Sequence, residues 1–73
     1  MKKSKEIARR IKLVRTWAGY SQRQLAKKIG VHQTTIAQIE VGNNFPSMDT
    51  LLKLAEVLGV KPGELIDGTG IFI

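Results

Sequence analysis

Cysteine is absent from the 73 residues, which excludes a disulfide framework and a thiolate metal site alike. The absence fits a cytoplasmic protein. Acids are scarce too: six Asp and Glu face twelve Lys and Arg, with a single histidine beside them. Such a set offers no nucleophile–base pair and no metal cluster, so neither an enzyme nor a cofactor is expected. Long apolar runs are also missing. None approaches the roughly 20 residues a membrane span needs, and Arg9, Arg10, Lys12 and Arg15 interrupt any secretory segment after the basic N-terminus. A chain this short makes one domain with a small core, for which twofold dimerisation is the common support.

The net charge of +6 is unevenly spread. Residues 1–30 carry ten Lys and Arg and one acid, Glu6, whereas residues 31–73 carry two Lys and five acids. A polyanion is therefore expected to meet the first half. Acidic lipid is the weaker candidate, because no segment pairs a strongly basic face with exposed aromatic anchors as interfacial helices do. DNA is the stronger one, and Lys2 and Lys3 at the N-terminus are expected phosphate contacts.

Glycine punctuates the chain. Gly19, Gly30, Gly42 and Gly59 each follow an apolar-periodic segment, the place where a positive-φ residue commonly ends a helix. The first helix is expected from about Lys5 to Ala18, on a stripe of Ile7, Ile11, Val14 and Ala18. The second starts after Ser21, a good N-cap, and ends near Ile29. The third runs from about Gln33 to Val41. The fourth follows Ser47 and reaches Leu58, burying Leu51, Leu54, Ala55 and Leu58. A short fifth begins at Pro62, a favoured first helical position, and buries Leu65.

The stretch Gln22–Val41 is the most informative. Leu25, Ala26 and Ile29 share one helical face, and Ile36 and Ile39 share another. At about 100° per residue, Thr34, Ala37, Gln38 and Val41 point nearly opposite Ile36 and Ile39, and Gln33 flanks the start of the helix. That face consists of uncharged hydrogen-bonding groups, whereas solvated faces usually carry Lys and Glu. Glu40 is the only acid between Arg9 and Gly42. Amides and hydroxyls can exchange hydrogen bonds with base edges in a major groove, from which phosphates repel carboxylates.

With these residues placed, the chain resembles the phage-repressor-like helix-turn-helix family (the Cro, lambda-repressor and XRE type) over about residues 7–66. The matching pieces are Ile11…Val14-Arg15, Ser21-Gln22…Leu25-Ala26, Gly30-Val31, Ile36…Ile39-Glu40…Gly42, Pro46, Leu51…Leu54-Ala55…Leu58-Gly59-Val60 and Leu65. The resemblance implies an all-α fold, a compact bundle of five short helices with a helix-turn-helix at 22–41, filling one domain over 1–73. It implies sequence-specific binding of operator DNA as a homodimer by a bacterial or phage-encoded protein. Gln33, Thr34 and Gln38 match its base-contacting positions. Gln22 matches a phosphate contact that steadies the first recognition residue, and Arg23 and Thr35 are placed against phosphate. Asn43 and Asn44 fit either phosphate contacts or plain turn residues. Arg15 and Glu40 match a partly buried ion pair between the first and third helices.

Three features depart from the family. His32 stands where a Ser or Thr N-cap is common. Leu13 and Trp17, four apart, form a second apolar line on the first helix. An apolar tail over 69–73 ends in Ile71, Phe72 and Ile73, which are expected to cover Leu13 and Trp17 within one chain or across a dimer. Together with Leu65 these are the expected dimer or partner surface. The leading functional expectation is a DNA-binding repressor. The alternative is an antitoxin that binds a toxin protein and regulates its own operon.

Overall fold

The computed structural model describes residues 2–67, with side chains described from Lys5 to Ile66. Five helices follow one another: α1 (Lys2–Ala18), α2 (Gln22–Ile29), α3 (Gln33–Glu40), α4 (Met48–Leu58) and α5 (Pro62–Asp67). No strand occurs among the described residues, and no described helix is long and apolar enough to cross a membrane.

The helix ends follow from local chemistry. The Ser21 hydroxyl accepts from the Gln24 amide N–H at 3.0 Å, while the Gln24 side chain accepts from the Ser21 N–H at 2.8 Å. This reciprocal capping box satisfies two N–H groups that a helix start leaves without partners. Gly30, at φ +77°, ends α2 in the left-handed region and lets the chain turn into α3. Ser47 caps α4 through the Thr50 N–H at 3.1 Å. His32 occupies the N-cap of α3 in an extended conformation, with no side-chain cap bond.

Burial of one apolar stripe per helix closes the bundle. Ile7, Ile11 and Val14 of α1 meet Leu25 and Ile29 of α2, Ile36 and Ile39 of α3, Leu51 and Leu54 of α4, and Leu65 of α5. Fully burying each such side chain contributes roughly 1.5–3 kcal/mol. α2 packs on α3 and α4, while α1 lies across α3 and α5.

Several expectations change. α1 begins at Lys2, three residues before the expected Lys5, because lysine propagates a helix without contributing to the apolar pattern that marks one. α3 ends at Glu40, with Val41 as its C-cap. Ala18 is exposed, and Ala8 is buried in α1 instead. Tyr20 is among the partly buried side chains packed against the core. Leu65, expected at a dimer or partner surface, has no exposed area at all. It fills the core of its own chain and is not available to a second one. Ile71, Phe72 and Ile73, and the side chains of Lys2 and Lys3, lie outside the described residues.

Candidate nucleic-acid interface

The Glu40 carboxylate fixes how α3 sits. Arg15 donates to it twice, Nε to Oε2 at 2.6 Å and Nη2 to Oε1 at 3.0 Å. Gln22 adds a third bond, Nε2 to Oε1 at 3.0 Å. The third Arg15 nitrogen, Nη1, donates to the Tyr20 carbonyl at 2.7 Å. The side chain of Glu40 is 2% exposed and that of Arg15 12%. One carboxylate thus ties α1, the start of α2 and the end of α3 together, and the acid of α3 is turned inward and neutralised.

The outer face of α3 carries different chemistry. Gln33 and Thr34 are exposed, and Thr35, Ala37 and Gln38 are half-buried. Arg23, exposed on α2, places Nε 3.5 Å from Gln33 Oε1, which is long for a hydrogen bond. Gln22, expected beside Gln33, donates its amide to Glu40, and Arg23 is an α2 side chain that approaches Gln33. Asn43 donates from Nδ2 to Gln38 Oε1 at 2.8 Å. Thr35, Asn43 and Asn44 border a single groove between α3 and the loop that follows it.

Two features of this surface were not read from the sequence. One is the Asn43–Gln38 contact, which crosses the end of a helix where periodicity gives no signal. The other is the place of Lys5. Gly42 turns the chain at φ +83°, and a Cβ there would meet Lys5 Cγ at 3.0 Å. The start of α1 therefore lies against the loop after α3, and Arg9 lines a cleft with Glu40 and Val41. The charge count of the N-terminal half announced basic residues but not which end of α3 they flank.

Residues 11–65 match the family model described as helix-turn-helix. The chain belongs to the helix-turn-helix family. It is 38% identical over 60 residues to an SPbeta prophage-derived HTH-type transcriptional regulator, YonR, of Bacillus subtilis, a match covering 82% of this chain and 56% of the relative. It is 40% identical over 53 residues to the antitoxin HipB of Escherichia coli, covering 73% of this chain and 56% of that protein. The chain thus spans a little over half the length of these curated relatives. Among solved structures, the restriction-modification controller protein C.AhdI of Aeromonas hydrophila superposes with a TM-score of 0.85 at 31% identity, covering 89% of this chain and 98% of that one. In this helix-turn-helix, α2 and α3 are the paired helices.

Proposed function

We propose that the chain is a sequence-specific DNA-binding transcriptional regulator, a repressor, acting in the cytoplasm. Two copies place α3 in successive major grooves of an operator. Gln33, Thr34 and Gln38 read base edges. Arg23, Thr35, Asn43 and Asn44 hold phosphates, with Lys2 and Lys3 adding charge from the N-terminus and Gln22 at the start of α2. The inward Glu40 carries this reading: α3 keeps a face of amides and hydroxyls toward solvent while its acid is buried against Arg15. The scarcity of nucleophile and base partners favours a binding protein over an enzyme.

A titration against duplex DNA at increasing salt tests the proposal. If a dimer neutralises about six phosphates, the logarithm of affinity falls against the logarithm of salt with a slope of about −5. A slope near zero removes DNA binding from the account.

A second reading adds a protein partner. The likeness to HipB and the exposed Trp17 and Leu13 favour an antitoxin that also binds DNA. Co-purification of the native chain with a second small protein supports it. Purification as a homo-oligomer alone excludes it.

A further inference from the structure

The proposal concerns Asn43, and it rests on the reading of α3 as the DNA-contacting helix. A free glutamine amide is ambiguous. It offers a donor end and an acceptor end, and a half-turn of its last torsion exchanges them. Gln38 is not free in this way, because Asn43 Nδ2 donates to its Oε1 at 2.8 Å.

Asn43 is itself held in place. Its backbone N–H donates to the Gln38 carbonyl at 3.1 Å, and the Asn44 N–H reaches the same carbonyl at 3.4 Å. The preceding Gly42 N–H donates to Ile39 at 3.1 Å. Gly42 makes the turn at φ +83°, with Lys5 Cγ 3.0 Å from where a Cβ would stand. The loop backbone is therefore held against the end of α3, and from it the Asn43 side chain reaches Gln38 over the last turn.

We infer that Asn43 is a positioning residue for base recognition: it engages the acceptor end of Gln38, so that Gln38 meets the major groove as a hydrogen-bond donor. A donor is satisfied by guanine N7 and O6 or by thymine O4. Cytosine presents an N4 donor to it and is rejected. Adenine, whose bidentate contact needs Oε1 as acceptor, keeps only the N7 half of that contact. Gln33 provides an internal control. Its Oε1 has only the distant Arg23 Nε beside it, so its amide keeps both ends and the base it reads is independent of Asn43.

Selection of bound sequences from randomised duplexes tests the inference. The full chain is compared with Gln38→Ala, Asn43→Ala and Asn43→Asp, each checked for unchanged helix content by circular dichroism. Gln38→Ala locates the base position that Gln38 reads. At that position the wild type selects guanine or thymine over cytosine. Asn43→Ala lowers this preference ratio by about fivefold or more, the low end of what one base contact contributes, and leaves the Gln33 position unchanged. In Asn43→Asp the new carboxylate accepts from Gln38 Nε2 and turns Oε1 toward the groove, so the preference moves to adenine or cytosine. The added charge weakens all sequences alike and cancels in the ratio.

Several results overturn the inference. One is an Asn43→Ala profile equal to wild type at the Gln38 position. Another is equal flattening at every position, which marks a general loosening of the α3 face and no particular tie to Gln38. A third is wild-type selection of cytosine at the Gln38 position. A wild type that binds no duplex at low salt overturns the functional reading, and this inference with it.

Discussion

At the scale of single residues, Glu40 ties α3 to α1 and α2. A carboxylate at the end of a helix meets the negative end of the helix dipole, and burial adds a desolvation cost. Three donated bonds from Arg15 and Gln22 offset both. Removing one partner leaves the charge buried, so Arg15→Met is expected to cost about 3–5 kcal/mol in urea unfolding. The double variant Arg15→Met/Glu40→Leu, which buries no charge, is expected to recover most of that loss. Equal losses for the two variants would mean that the pair contributes nothing beyond its packing. Periodicity could not find this pair, because its members lie 25 positions apart. Only the family resemblance pointed to it. The Gln22 bond to Glu40 escaped even that, since the same residue type suits a phosphate contact.

At the scale of elements, the helix bounds set by glycine and serine were legible. Gly30 and Gly59 stop α2 and α4 where the apolar pattern stops, and Ser21 and Ser47 open α2 and α4 with side-chain caps. The start of α1 was hidden because Lys2, Lys3 and Ser4 bring no apolar residue to the stripe. His32 is the weak point, since it leaves the first turn of α3 without a side-chain acceptor. His32→Ser is expected to supply one and to stabilise the domain by about 1 kcal/mol. In a domain of this length that raises the melting temperature by roughly 4–8 °C. An unchanged melting temperature would mean that solvent already satisfies the start of α3.

At the scale of the whole molecule, the principal extents of 30 × 26 × 20 Å are shorter than the ~34 Å that separates two half-sites on one face of a duplex. Reading both halves of an operator therefore takes two copies. Leu65 cannot join them, being wholly buried in its own bundle. The remaining apolar surface on α1 is Leu13 and Trp17, the latter 69% exposed. We propose that the tail over 69–73 meets this surface across the dimer. Deleting 69–73 is then expected to lower dimer affinity in sedimentation and operator affinity together, with helix content unchanged. Trp17, the single tryptophan, reports the same event, its emission moving to the blue with rising concentration of the full chain but not of the truncated one. A truncated chain that dimerises as tightly as the full one removes the tail from the interface. The dimer was the least legible level, because association depends on surface left over after folding, and sequence pattern separates core from surface without pairing one surface with another. The central claim, that α3 reads bases while the basic N-terminal half holds the backbone, is tested most directly by measuring affinity for a selected operator and for random duplex side by side. Gln33→Ala and Gln38→Ala are predicted to lose about 1–3 kcal/mol on the operator and little on random DNA, whereas Arg23→Ala weakens both by similar factors. Equal losses on the two DNAs for both glutamine variants would contradict the account.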